Sequence, residues 1–164
     1  MEEYMAKRSL LALVFVGVFL VARVEAANVS FLVIETGLPL EAEINHHSEL
    51  WESGLLDVFF EAGHIVTNAP VLRLETKPSQ EFPDEAEHDL EEAIEGGAEY
   101  FVIALLDYKD TQTPQTISLK LFGINPHRKI FEQEYAGRVF SSTKEEYDNL
   151  KIVVRELVPQ LNGR

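Results

Sequence analysis

An uninterrupted apolar run at residues 100–106 (YFVIALL) constrains the fold of this chain more than any other feature. The run contains no polar residue, and the glycine pair at 96–97 separates it from the acidic segment before it. A strand with one solvated side alternates apolar and polar residues, whereas a strand covered on both faces reads as a continuous apolar segment. Residues 100–106 are therefore predicted to form the central strand of a sheet with cover on both faces.

The chain before this strand begins with a strand, a helix and a second strand. Residues 29–34 (VSFLVI) are apolar and β-branched, which is typical of a buried strand. From Ser48 onward, apolar residues recur at three- and four-residue spacing, which predicts a helix with Ser48 as its N-cap and Gly63 at its end. A short second strand is predicted at residues 64–67 (HIVT). The apolar stripe of the helix consists of Trp51, Leu55, Phe59 and Ala62, with Leu56 and Phe60 beside it.

A proline-containing loop and a second, acidic helix lead to the central strand. Residues 68–83 are predicted to be a loop, in which residues 71–75 can add a little strand. Asp84 and Glu87 have the spacing of a capping box at the start of the helix, and the glycine pair ends it.

The chain after the central strand is predicted to form a hairpin and a closing helix. Apolar and polar residues alternate at 117–121, and residues 128–135 return after a turn. Ser142 and Glu145 form another capping box, and the helix that follows carries a long apolar stripe. The order β-α-β-α-β-β-β-α predicts a single mixed α/β (α+β) domain, with a mixed sheet packed by three helices.

The N-terminal segment has the features of a secretory signal peptide. Lys7 and Arg8 precede an apolar run that is shorter than the roughly 20 residues needed to span a bilayer. Val24 and Ala26 are small enough for the positions before a signal peptidase cut. We therefore predict a signal peptide at residues 1–26, cleavage near Ala26, and a mature domain at 27–164 that is exported to the periplasm without a stable membrane anchor. An uncleaved membrane anchor is the alternative.

The absence of cysteine and the excess of acidic residues limit the classes of function. No disulfide or thiol chemistry is possible without cysteine, and no lipid can be attached through one. The formal net charge of −14 disfavours nucleic acid and anionic lipid as partners. Such a charge favours a cationic partner, or serves only solubility.

The acidic helix concentrates this charge. The segment between Lys77 and Lys109 contains no Lys or Arg, and Glu87, Glu91 and Glu95 recur every four residues within it. Like charges at this spacing repel each other on a helix. We call Glu87, Glu91 and Glu95 the acidic face; it is interpreted either as a solvated surface or as a docking surface for a basic partner.

Several other residues belong to types that serve in catalytic or metal-binding sites. Glu43, His46, His47 and Glu49 cluster before the first helix and include zinc-ligand types, but no zinc-binding spacing is present. Residues 141–144 match S-x-x-K without the two other elements that this chemistry requires. His64 and His127 are interpreted as surface residues near turns. The chain is predicted to be non-enzymatic and to use no cofactor and no metal.

Three segments resemble a small α/β domain of bacterial envelope proteins. Residues 55–66 resemble its step from helix through glycine to strand, residues 97–103 are similar to its Gly-Ala-Asp-Tyr entry into the central strand, and residues 119–132 resemble its hairpin. The family includes the N-terminal domain of the Tol-system propeller protein, curli-secretion lipoproteins and penicillin-binding-protein-activator lipoproteins. This chain lacks their lipid-anchoring cysteine and carries no propeller or pore-forming segment. The resemblance implies an envelope domain that binds other proteins.

These features lead to one functional hypothesis and one alternative. The first is an exported, non-enzymatic periplasmic interaction domain, accessory to envelope assembly or transport, that binds another envelope protein through a sheet edge or through the acidic face. The alternative is a periplasmic protein that binds a small ligand or a metal with the loops at 40–49 and 68–83. An unrecognised hydrolase is a third, weaker option.

Overall fold

The computed structural model describes residues 26–80 and 82–161, which form one domain around a six-stranded sheet. The strands are β1 (Asn28–Thr36), β2 (Ile65–Asn68), β3 (Leu72–Leu74), β4 (Tyr100–Asp107), β5 (Thr116–Gly123) and β6 (Arg128–Ala136). The helices are α1 (His46–Glu61), α2 (Glu87–Glu95), α3 (Thr143–Val154) and the single turn α4 (Val158–Leu161), with a 3₁₀ turn at Asp84–Ala86. The predicted mixed α/β domain is confirmed.

The sheet combines a parallel half with an antiparallel half. Its strand order is β2-β1-β4-β5-β6, and β3 pairs with β1 beyond the end of β2. β1 is parallel to β2, β3 and β4, whereas β4, β5 and β6 are successively antiparallel. Parallel neighbours need crossover connections, and α1 and α2 supply them. The predicted hairpin of β5 and β6 is confirmed.

β4 lies in the middle of the sheet, and all eight of its residues are buried. Because successive side chains of a strand point to opposite faces, its apolar run contributes to two separate cores. Val102, Ala104 and Leu106 face α1, α3 and α4, while Phe101, Ile103 and Leu105 face α2 and the loop before it. The prediction of a central strand covered on both faces is confirmed.

The helices α1 and α3 pack closely beside each other on one face of the sheet. A Cβ atom at Gly54 of α1 would lie 1.9 Å from Cδ1 of Leu150 in α3, so a larger residue at this position would force the buried Leu150 side chain to move. Polar contacts join the outer sides of the pair, with the Tyr147 hydroxyl donating to Asp57 at 2.5 Å and Lys151 Nζ donating to Glu61 at 2.5 Å. The two helices therefore form one rigid layer.

Two helix starts differ from the predicted ones. Asn45 caps α1 by accepting a hydrogen bond from the amide of His47 at 3.0 Å, whereas Ser48 is buried and bonds to Tyr108. The helix therefore begins before Ser48, because the side-chain oxygen of Asn45 already accepts a hydrogen bond from a free backbone N–H of the first turn. The predicted capping box of Asp84 and Glu87 is also wrong, since no side chain caps the 3₁₀ turn or α2.

The closing helix starts as predicted but is interrupted. Ser142 Oγ accepts from the amide of Glu145 at 3.2 Å, which is one half of the predicted capping box. The helix breaks after Val154 and resumes as α4 at Val158. Pro159 explains the interruption, because it has no N–H to donate to the carbonyl four residues earlier.

The predicted signal peptide lies almost entirely outside the residues that the structure describes. Only Ala26 of that segment is described, and it is exposed. Within residues 26–80 and 82–161, no helix combines the length and the hydrophobicity needed to cross a bilayer.

Candidate functional site

The acidic face lies where the sequence analysis places it. Glu87, Glu91 and Glu95 are all exposed on α2, and they are four residues apart. Because α2 buries fully only Ala93, most of its surface is open to solvent. Burial raises the pKa of Asp89, which lies on the side of the helix nearer the protein. The geometry permits docking of a basic partner on this helix, but it does not single the helix out.

The candidate metal ligands do not converge on one point. His46 Nδ1 lies 3.9 Å from Glu49 at an exposed position, while His47 Nδ1 contacts Glu146 of α3 at 2.5 Å. Glu43 contributes a backbone carbonyl, which accepts from Arg73 at 2.8 Å. Among the described residues, no group of three or more His, Cys, Asp or Glu side chains could hold a metal ion.

A buried ion pair holds the loop in which these residues lie. Glu35 of β1 is fully buried, and it pairs with Arg73, which lies opposite it on β3. The guanidinium also donates to the carbonyls of Pro39, Ala42 and Glu43 at 3.0, 2.5 and 2.8 Å. Glu35 in turn accepts from the amide of Asn45 at 2.7 Å. The pair therefore has a structural role, because it fixes the loop between β1 and α1 at the carboxyl end of the sheet.

The alternative site predicted from the two loops is an open depression. Leu40 and residues 73–80 and 83–85 line a space of about 670 Å³. Its lining is largely polar, and Lys77 within it pairs with Glu134 at 2.9 Å. A ligand there would have to displace water mainly from polar groups, because polar atoms dominate this open lining.

A more enclosed cavity lies between α1, α3 and the end of β6, and we call it the α1–α3 cavity. Its volume is about 410 Å³, within the range of small-molecule sites. Eight of its twelve lining residues are apolar or aromatic, but polar and apolar atoms contribute comparable shares of its exposed wall. The polar lining residues are Glu134, Arg138, Glu146 and Asn149. The apolar lining includes Trp51, Ile117, Tyr135, Phe140, Leu150 and Val153.

Sequence reasoning missed this cavity because its residues come from four separate segments. Trp51 and Leu150 are assigned correctly to apolar stripes, and both are almost fully buried. No motif connects them to Arg138, which lies in the link between β6 and α3. The sequence did contain an indication of the buried ion pair of Glu35 and Arg73. Glu35 directly follows the apolar residues of a strand that is predicted to be buried, and a buried charge needs a partner.

An exposed apolar surface lies at the opposite edge of the sheet. Leu56, Phe60 and Ile65 expose 42%, 74% and 60% of their surface, and we call them the apolar edge patch. Leu56 and Phe60 lie on the α1 side of the sheet, whereas Ile65 points to the other side, because its neighbour Val66 packs against the α1 side. Phe60 and Ile65 flank the Gly63 turn between α1 and β2, while Leu56 lies one helical turn before Phe60. A hydrogen bond of 2.5 Å from Asn68 to Glu52 places this side of α1 next to β2.

The interpretation of His64 as a surface residue is wrong. The side chain is buried with 4% of its surface exposed, and its Nδ1 accepts from the amide of Ala27 at 3.2 Å. Its Nε2 has no hydrogen-bond partner among the described residues. Burial lowers the pKa of His64, since the charged imidazole would lose its hydration. His127 is exposed, as predicted.

Comparison with known proteins gives a family without an assigned function and a shared fold. A family model described as "Uncharacterised protein" matches residues 36–131. No curated protein sequence matches the chain.

Among solved structures, two of the PelC dodecamer from Paraburkholderia phytofirmans are similar, each with a TM-score of 0.51. Their sequences are 14% and 15% identical to this chain. The aligned regions cover 84% and 85% of this chain and 90% and 89% of the PelC chains. The structure of a hypothetical protein from Chlamydia trachomatis is 12% identical in sequence and has a TM-score of 0.41. The aligned region covers 84% of this chain and 96% of the Chlamydia protein. At these identities the likeness to PelC shows the fold alone. The resemblance to the Tol-system and lipoprotein domains stays a prediction.

Proposed function

The chain belongs to this family of uncharacterised proteins, and we propose that it is an exported, non-enzymatic interaction domain of the cell envelope that assembles with further copies of itself. The apolar edge patch is the observation that carries the proposal. Phe60 exposes 74% of its surface and lies one helical turn from the exposed Leu56, and exposed large apolar side chains beside an open strand edge favour an interaction site.

The strand beside the patch has backbone groups available for pairing. The amides of Ile65 and Ala69 donate inward to β1, so the alternating backbone groups of Val66 and Asn68 point outward. Among the described residues, no strand pairs with this outer side of β2. An open strand edge with apolar side chains next to it is a surface on which another chain can dock.

The other edge of the sheet is less suited to docking. β6 is nine residues long, but it carries exposed charged residues that include Lys129, Glu132 and Glu134. Charged side chains on an edge strand discourage a second strand from pairing with it. We therefore assign the contact between copies to the β2 edge.

Two further considerations support copies of the same chain as the partner. The PelC structures, which share this fold, are described as dodecamers. The apolar edge patch itself contains no charge, although the whole chain carries a net charge of −14. Copies therefore repel each other at long range and attract each other only where the patches meet. Salt screens that repulsion, because the Debye length falls to about 10 Å at 0.1 M.

Molar mass in solution tests the proposal. We expect sedimentation of the exported protein to show an assembly that grows as salt rises from 0.05 to 0.5 M. Phe60→Ser combined with Ile65→Lys should give a monomer, whereas Ile94→Ser, which changes a 47%-exposed residue on α2, should not. A protein that stays monomeric at every salt and protein concentration would contradict the proposal. A contact with a basic partner through the acidic face would instead weaken as salt rises.

A further inference from the structure

We infer that the α1–α3 cavity binds a small amphipathic anion, with the apolar body of the ligand inside the cavity and the anionic group on Arg138. This inference does not depend on the proposed function. The cavity lies along β5 and β6, whereas the apolar edge patch lies beside β2 at the other edge of the sheet. Either proposal can therefore fail without the other.

The wall of the cavity suits an apolar ligand body. Trp51 and Leu150 are buried to 4% and 2% exposure, and Ile117 and Val153 pack against the same core. The apolar surface that a ligand can cover comes mainly from half-buried side chains such as Ile117, Phe140 and Val153. Removing that surface from water is the main source of affinity in such sites.

Arg138 supplies the charge that selects an anion. The chain contains twice as many acidic as basic residues, and most described basic side chains are held in ion pairs, as Lys77 and Lys151 are. Arg138 is exposed and has no carboxylate partner among the described residues, although it lines the cavity. A guanidinium presents a planar set of donors that fits a carboxylate or a similar oxyanion.

Glu146 sets the direction in which an anion can enter. Its side chain is 11% exposed and lines the cavity, where one oxygen contacts His47 at 2.5 Å. A second carboxylate next to it would be repelled, so the anionic group of the ligand belongs at Arg138. Glu134 does not compete for Arg138, because its carboxylate is turned to the other face of the sheet, where it pairs with Lys77 at 2.9 Å.

The surface beyond the cavity can accommodate an elongated ligand. A shallower depression of about 530 Å³ shares Arg138, Phe140 and Asn149 with the cavity. It includes Val139 and Ile152, which are 86% and 61% exposed. Val139 and Ile152 can contact part of an alkyl chain that extends out of the cavity, between the charged residues Lys144, Glu145 and Asp148 that also line the depression.

Trp51 provides a direct measurement of occupancy, because it is the single tryptophan of the chain. The experiment titrates the exported protein with decanoate below its micellar concentration and follows tryptophan fluorescence. Decanol and decyltrimethylammonium serve as uncharged and cationic ligands with the same chain length. We expect saturable binding with decanoate tightest and decyltrimethylammonium weakest. No saturable change with decanoate, or binding of the cation as tight as that of decanoate, would overturn the inference.

Three variants identify the groups involved. Arg138→Gln should weaken decanoate binding by about three- to tenfold, the range expected for a partly exposed charge-assisted contact. Arg128→Gln is the matched control, since it removes the same charge at the far end of β6 and should leave the affinity unchanged. Glu146→Gln should bind decanoate at least as tightly as the unchanged protein, because it removes a repulsive charge and keeps an oxygen for His47. Equal losses from both arginine variants, or a loss of affinity in Glu146→Gln, would refute the assignment of these roles. Circular dichroism checks that each variant is folded.

Discussion

Removing Arg73 should destabilise the domain far more than removing an exposed arginine. Only 7% of its side chain is exposed, and its guanidinium donates to the Glu35 carboxylate and to three loop carbonyls. Arg73→Met would leave the carboxylate buried with one remaining hydrogen bond, from the Asn45 amide. Breaking a buried ion pair in this way costs about 3–5 kcal/mol.

That loss is a large fraction of the ~5–15 kcal/mol that stabilises a typical domain. For a domain of this size it corresponds to a fall in Tm of about 10–15 °C. Chemical and thermal unfolding, followed by circular dichroism, would measure it. The matched control is Arg155→Met, which removes a guanidinium that is 55% exposed and paired with Glu61 at 3.2 Å. An exposed pair of this kind contributes about 1 kcal/mol or less.

A double-mutant cycle separates the pair from other effects of the substitution. Glu35→Gln combined with Arg73→Met removes both charges, so no buried charge is left without a partner. We expect the double variant to be more stable than the sum of the two single losses predicts, by at least about 1 kcal/mol. The reasoning is refuted if Arg73→Met loses no more stability than Arg155→Met, or if the two single losses are additive.

Four other outcomes are expected. Leu105→Asp should unfold the domain, because it places an unpaired carboxylate in the core beside α2, whereas Val139→Asp, at an 86%-exposed position, should melt normally. Burial lowers the pKa of His64 below its usual 6.5, so as the pH falls the imidazole is protonated in the unfolded chain before it is protonated in the folded domain. The free energy of unfolding should therefore be highest above pH 6.5 and should fall below it. In unfolding measurements His64→Gln should flatten that fall, whereas His127→Gln should not. Mass spectrometry of the exported protein should find Ala27 as its first residue, and a full-length membrane-bound species would contradict the predicted cleavage. Changing the acidic face to glutamine should keep or slightly raise Tm while weakening capture of a basic envelope partner, and unchanged capture across a salt series would mark this face as solvated surface only.

The sequence correctly predicted the elements whose signal is local. The apolar run in β4 is continuous because both faces of the strand are covered, and the alternation in β5 shows one strand of the hairpin. Glycine and proline marked most of the boundaries. The wrong N-cap had a long-range origin: Ser48 and Asn45 can both cap a helix, but Ser48 instead bonds to Tyr108, which is 60 residues away along the chain.

The tertiary structure decided which polar residues meet. His47 is near the other candidate ligands in sequence, yet it contacts Glu146, which is 99 residues away along the chain. Arg73 reaches Glu35 because a three-residue strand, β3, pairs with β1 in the register that places the two side by side. Local periodicity carries no information on such registers.

Apolar periodicity and charge thus determined the fold class, the central strand and the acidic face, because each depends on residues that are close together in the chain. The α1–α3 cavity and the apolar edge patch depended on the packing of helices against the sheet. Phe60 and Phe59 are neighbours in one helix, but Phe59 is fully buried and Phe60 is 74% exposed. The rotation of α1 about its axis decides that difference, and the contact of Gly54 with Leu150 helps to set that rotation. The apolar periodicity places Phe59 on the stripe and Phe60 beside it, but it does not show that packing against the sheet leaves Phe60 open to solvent, because that packing is a property of the assembled domain.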